Sequence, residues 1–173
     1  MTESLKSLII DVPDFPKPGI MFKDFTPLLA DPRGLALAVE LMANPYRTQH
    51  VDVVVGAESR GFIFGTALAQ ALSVGFVPIR KKGKLPRATV RVEYELEYGT
   101  DCLEMHADAI KPGQRVLIVD DLLATGGTLA AATELVRGRQ ASVVGLTVLI
   151  ELLALGGRKR VAGVGDVHAV LTY

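Results

Sequence analysis

The hydrophobic pattern of the chain switches between two periods. Apolar, β-favouring runs occupy residues 51–55, 74–79, 116–119 and 142–150. Runs that are apolar on both faces predict central strands of a parallel sheet. Between them, residues 62–72 and 129–139 read as helices, with Leu129, Ala132 and Val136 on one stripe of the second. Asp31-Pro32 predicts an N-cap and an N1 proline for a helix running to about Asn44, where Asn44-Pro45 ends it. Val90, Val92, Tyr94, Leu96 and Tyr98 alternate with polar residues, the period of a half-exposed strand. Gly99 turns that strand, Leu103 and Met105 suggest a short return, and residues 167–173 give a terminal strand.

Strands alternating with helices predict an α/β fold whose central sheet is mostly parallel and flanked by helices, with right-handed crossovers. Residues 1–30 break the alternation. Leu5, Leu8 and Ile9 form a short amphipathic turn, and Pro13, Pro16 and Pro18 stiffen the loop over residues 12–19. These residues are expected to form a small hood over one sheet edge. Residues 31–173 are the expected core, and the whole chain one domain.

Composition narrows the function classes. The 173 residues are 49% apolar and 22% charged, with 19 basic and 19 acidic side chains. That balance argues against a nucleic-acid or membrane-surface binder. Cys102 is the sole cysteine, which rules out an internal disulfide and suits a reducing cytoplasm. The start lacks the basic-then-apolar order of a signal peptide. Glu151 interrupts the longest apolar stretch before it reaches membrane-spanning length. His50, His106 and His168 are scattered without metal-ligand spacing.

The chemistry concentrates after the run at 116–119. Asp120 and Asp121 come first, then Ala124-Thr125-Gly126-Gly127-Thr128, then the helix. Glycines let a backbone approach a ligand closely. A loop feeding a helix N-terminus presents N–H groups to an anion, and Thr125 and Thr128 add hydroxyls. The carboxylates repel a phosphate but suit a sugar diol or a metal ion. A ligand with a phosphate at one end and a diol beside it satisfies both. Taken alone, the glycine loop is equally consistent with a plain turn. It is neither a Walker A loop nor G-x-G-x-x-G.

Two further stretches fall at strand ends, where ligands of parallel sheets bind. Gly56-Ala57-Glu58-Ser59-Arg60-Gly61 could present Ser59 and the fork of Arg60 to a second anion, or simply cap a helix. Arg80, Lys81, Lys82, Lys84 and Arg87 put five positive charges on one loop, which read alone is a solvated hairpin.

The run from Val116 to Thr128 resembles the ribose-5-phosphate signature of the type I phosphoribosyltransferases, and its middle resembles the adenine-specific branch of that family. The resemblance extends over nearly the whole chain. It implies a Rossmann-like type I phosphoribosyltransferase fold with an N-terminal hood. It implies transfer of the phosphoribosyl group of 5-phospho-α-D-ribose 1-diphosphate to adenine, with AMP and pyrophosphate as products of purine salvage. Asp120, Asp121, Ala124, Thr125, Gly126, Gly127 and Thr128 would hold the ribose phosphate. Glu58, Ser59, Arg60, Arg80, Lys81 and Lys84 would meet the pyrophosphate, with Glu58 standing where the family often has Asp. Met21, Phe22, Lys23 and Leu152 would hold adenine. Leu96-Glu97-Tyr98-Gly99 is similar to the tip of the family's catalytic loop, which makes Glu97 the proton-handling group and Tyr98 a closing residue, with Arg60 also catalytic. Mg²⁺ would be held by substrate oxygens and waters with no direct protein ligand, and the chain would be a homodimer. A hypoxanthine-, guanine- or xanthine-specific transferase shares the signature, as does a ligand-sensing regulator without turnover. The hood and Leu-Glu-Tyr-Gly favour adenine, and residues 1–30 hold no basic recognition helix.

Overall fold

A computed structural model describes residues 2–95 and 100–173, Glu95 by its backbone only. The chain opens with α1 (Thr2–Lys6), β1 (Ile10–Pro13), β2 (Met21–Asp24) and α2 (Thr26–Ala30). It continues through α3 (Pro32–Ala43), β3 (Val53–Ala57), α4 (Gly61–Ala71), β4 (Gly75–Lys81), β5 (Thr89–Glu95) and β6 (Thr100–His106). The last third is β7 (Arg115–Leu123), α5 (Gly127–Gly138), β8 (Ser142–Glu151), α6 (Gly157–Arg160) and β9 (Val167–Thr172).

Seven strands form one sheet in the order β5-β6-β4-β3-β7-β8-β9. The pairs from β4 through β9 are parallel, and β6 runs antiparallel to both β4 and β5. The expected mostly parallel sheet is therefore present. β1 and β2 make a separate antiparallel pair from the expected hood segment.

β7 is the spine. Val116, Leu117, Ile118 and Val119 are buried, and alternate residues serve opposite faces. Val116 and Ile118 pack with Leu129, Ala132 and Val136 of α5. Leu117 and Val119 pack with Ala38 and Met42 of α3 and with Phe64 and Leu68 of α4. The apolar runs read as buried on both faces because helices cover both. Asp31 caps α3 as expected, its carboxylate accepting from the Gly34 N–H at 2.6 Å.

Three element boundaries differ from expectation. β7 does not stop at Val119: Asp120 pairs with Val148, Leu122 with Ile150 and Leu123 with Glu151. The parallel ladder with β8 satisfies that backbone, so the strand runs through the acidic pair and on to Leu123. β4 takes Arg80 and Lys81 out of the predicted basic loop, because β6 pairs with both. Part of the proline-rich stretch is also strand, with Val12 opposite Phe22 and Pro13 closing β1 at its end.

Leu117 is fully buried. Leu117→Ala is expected to cost about 3 kcal/mol of stability, from lost burial plus the cavity left between β7 and its helices. Urea denaturation should show a lower midpoint with an unchanged slope.

Candidate active site

The carboxyl ends of β3, β4 and β7 converge on a cavity of about 690 Å³. The β3–α4 loop supplies Glu58, Ser59 and Arg60. The basic segment supplies Lys81 and Lys84. Asp120, Asp121, Leu122, Ala124 and Thr128 complete the wall. A smaller recess of about 70 Å³ opens within the loop over residues 122–129, around the N-terminus of α5. Gly126 there has φ +83°, a conformation glycine adopts without steric cost. Thr125 and Thr128 line the recess beside the start of α5, where a helix N-terminus presents free N–H groups.

Asp120 and Asp121 are both buried, and the Asp121 N–H donates to Asp120 Oδ1 at 2.9 Å. Arg60 Nε lies 2.8 Å from Asp121 Oδ2, an ion pair without hydrogen-bond alignment. Burial, and then the adjacent Asp121 charge, push the Asp120 carboxyl well above the usual range, while Arg60 opposes the shift. Two carboxylates here can accept from a pair of hydroxyls.

The basic segment is braced by acids. Glu58 accepts from the Lys81 N–H at 2.7 Å and from Arg80 Nε at 3.0 Å. Burial alone would raise Glu58, but these two donors hold its carboxyl below the usual range. The Glu58–Ser59 peptide is cis. Arg80 also donates to the Lys84 carbonyl at 3.2 Å, and Glu104 accepts from the Gly83 N–H at 2.9 Å. Lys81 Nζ stands 3.2 Å from Asp101. Glu58 and Arg80 thus bond to each other, and Lys81 and Lys84 reach the cavity wall.

A second, apolar slot of about 130 Å³ adjoins the first. Phe22, Asp24, Phe25, Thr26, Leu29 and Ile63 line it, together with Arg60. The guanidinium carbon of Arg60 is 5.5 Å from the Phe22 ring centroid and 5.9 Å from that of Phe25. This is cation–π range. Arg60 therefore belongs to both cavities and forms the wall between them.

The remaining sequence candidates distribute as follows. Met21 is exposed on β2. Lys23 is occupied by Asp11 at 2.6 Å and by the Tyr173 ring at 4.1 Å. Leu152 is half-buried beyond β8, its N–H bonded to the Leu123 carbonyl at 3.0 Å, and it lines neither cavity. Glu97 and Tyr98 lie outside the described residues. Sequence reasoning missed Phe25 and Ile63 in the slot, and Glu104 and Asp101 as braces. Their only signal was an acidic residue on an alternating strand or an apolar residue near a motif.

Comparison with known proteins bears on the family and the fold. The model of the phosphoribosyl transferase domain matches residues 25–163. The adenine phosphoribosyltransferase of Sorangium cellulosum is 61% identical over 158 residues, which are 91% of this chain and 79% of that protein. The crystal structure of adenine phosphoribosyltransferase from Rhodothermus marinus superposes with a TM-score of 0.95 at 55% identity, covering 99% of this chain and 98% of the other. That of the Saccharomyces cerevisiae enzyme, complexed with an imino-altritol bisphosphate and adenine, gives 0.92 at 40% identity, covering 98% and 97%.

The raised Asp120 carboxyl has a consequence for stability. Its folded value lies above its unfolded one, so ionising it at neutral pH costs stability that is regained in acid, below the unfolded value of about 3.9. Asp120→Asn should therefore unfold at a higher temperature than the parent at pH 7, with the gain shrinking as pH falls. Thermal melts across pH 3–8 read this directly.

Proposed function

The chain belongs to the phosphoribosyl transferase family, in its adenine phosphoribosyltransferase branch, and on that premise we propose that it converts adenine and 5-phospho-α-D-ribose 1-diphosphate to AMP and pyrophosphate. The observation that carries this reading is the position of Arg60. One side chain lines both the polar cavity of Asp120, Asp121 and Thr128 and the aromatic slot of Phe22 and Phe25. A ligand joining a flat base to a sugar phosphate would straddle it.

Each end then has a task. The 5′-phosphate sits on Ala124, Thr125, Gly126, Gly127 and Thr128, held by N–H groups at the start of α5. Asp120 and Asp121 accept from the ribose hydroxyls. Ser59, Arg60, Lys81 and Lys84 face the pyrophosphate, with Glu58 and Arg80 holding the basic segment in place. Phe22 stacks on adenine, and main-chain groups of Met21 and Lys23 pair with its edge; Leu152, which lines neither cavity, has no part in holding the base.

Displacement at the anomeric carbon passes through an oxocarbenium-like state, so catalysis is mostly positioning and charge stabilisation. As the C1′–O bond to pyrophosphate breaks and the bond to adenine forms, Glu97 assists proton movement at the base. Tyr98 helps exclude water from the reacting atoms. Among the described residues no three His, Cys, Asp or Glu side chains group as a metal cage. A Mg²⁺ would arrive on substrate phosphates and keep its waters, as the family resemblance implies. When bound, it would neutralise charge on the pyrophosphate.

Adenine offers an amine donor where hypoxanthine has a carbonyl. A buried acceptor facing that amine discriminates by on the order of 10⁴. We also propose a homodimer, which the family resemblance implies. The cytoplasm is the proposed compartment, consistent with the one buried, unbridged cysteine.

A pyrophosphate-release assay with adenine, hypoxanthine, guanine and xanthine tests the reading. Adenine should be strongly preferred, and no release with adenine and Mg²⁺ would sink it. Glu97→Ala should lower kcat by roughly 10²–10⁴ with little change in KM. An unchanged kcat would remove Glu97 from the reaction.

A further inference from the structure

The proposed phosphate cradle is made of backbone, so its shape depends on what stands behind it. Behind it is the segment that follows β8. Gly157 is buried there, and a Cβ built on it would lie 2.2 Å from the Ala124 carbonyl oxygen and 2.8 Å from Leu123 Cδ1. The approach is reciprocal, since a Cβ on Gly126 would lie 2.6 Å from the Gly157 carbonyl oxygen. These distances are far inside van der Waals contact. Two loops therefore meet backbone to backbone where the cradle turns into α5.

An ion pair between a half-exposed arginine and a buried carboxylate holds that second loop. Glu151 ends β8 with its carboxylate buried, and Arg158 of α6 reaches it with Nε at 3.0 Å and with Nη2. Arg158 Nη1 also donates to the Val167 carbonyl of β9 at 2.8 Å. The fork thus pins α6 to two strands, one residue after Gly157. A planar, two-pronged contact fixes orientation as well as distance.

We propose that Gly157, held by the Glu151–Arg158 pair, is a positioning residue for the 5′-phosphate: it sets the path of the 124–126 backbone, and any side chain at 157 pushes that backbone out of place. The proposal rests on the reading of residues 124–128 as the phosphate site. A shift in that backbone weakens the hydrogen bonds it offers the phosphate, and a cradle is only as exact as its supporting shell.

The test is binding of ribose 5-phosphate by isothermal titration calorimetry, alongside steady-state kinetics. Gly157→Ala should weaken ribose 5-phosphate by roughly tenfold or more and raise KM for 5-phospho-α-D-ribose 1-diphosphate in parallel. KM for adenine should stay near the parent's and kcat should fall less than threefold. Gly138→Ala is the control, because a Cβ there meets nothing within 4 Å; it should bind like the parent. Where Gly157→Ala does not fold, Arg158→Lys decides: it keeps the charge but loses the fork, and should show the same selective loss to a smaller degree. Parental affinity in a folded Gly157→Ala, or in Arg158→Lys where the first is not obtained, overturns the proposal. Equal losses for ribose 5-phosphate and adenine also overturn it, since they mark a general structural defect. Failure of the parent itself to bind ribose 5-phosphate would instead overturn the phosphate-site reading beneath it.

Discussion

The double parallel pairing of β7 is the constraint on which the rest depends. β3 on one side and β8 on the other take its backbone groups, and helices bury both of its faces. A strand in that position cannot slip, because a one-residue shift would exchange every side chain between the α5 face and the α3–α4 face. Its apolar half sets the register. Its polar half is carried along with it, so Asp120 and Asp121 are delivered buried to the cavity floor. Two adjacent carboxylates would not choose that environment. They are tolerated because the apolar residues before them are so strongly fixed and because Arg60 stands against Asp121.

Charge is arranged on the same logic around the cavity. Positive side chains converging on one anion repel each other until it arrives. Acids on the β3–α4 loop and on β6 offset this: Glu58 faces Arg80 and the Lys81 amide, Glu104 takes the Gly83 amide, and Asp101 lies by Lys81. Burial raises the cost of ionising Glu58 and Asp101, yet their donors keep both carboxyls below the usual range. The segment is thus held in one shape before any ligand binds, which reduces the ordering cost of binding. Arg60 then joins this charged half to the aromatic slot of the hood.

Much of the fold was legible in the chain. The runs at 51–55, 74–79, 116–119 and 142–150 each became a strand of the main sheet; β3 and β7 are covered on both faces, while β4 alternates buried with half-buried residues. The Asp31-Pro32 cap started α3 where it stood. The misplaced boundaries were all polar or proline-bearing. Arg80 and Pro13 read locally as loop, and Asp120 and Asp121 as a strand end, but pairing with a neighbouring strand carried each element through them. Glu58, Ser59, Arg60, Asp120, Asp121, Ala124 and Thr128 do line one cavity, because strand ends in a parallel sheet open on one edge, while Thr125, Gly126 and Gly127 line the smaller recess beside it. Leu152 stands apart from both cavities.

The sequence by itself determined the α/β class, the position of the glycine–threonine loop at the start of a helix, and the pairing of that loop with two carboxylates. These are properties of neighbouring residues, and local periodicity, turn chemistry and charge suffice to read them. Only the tertiary structure decided that Arg60 walls two cavities, that Glu58 and Glu104 brace the basic segment, and that Gly157 meets Ala124. Those contacts join residues from 21 to more than 30 positions apart, or across different strands. No local pattern encodes them, because their geometry follows from strand order and register, which the whole sheet sets at once.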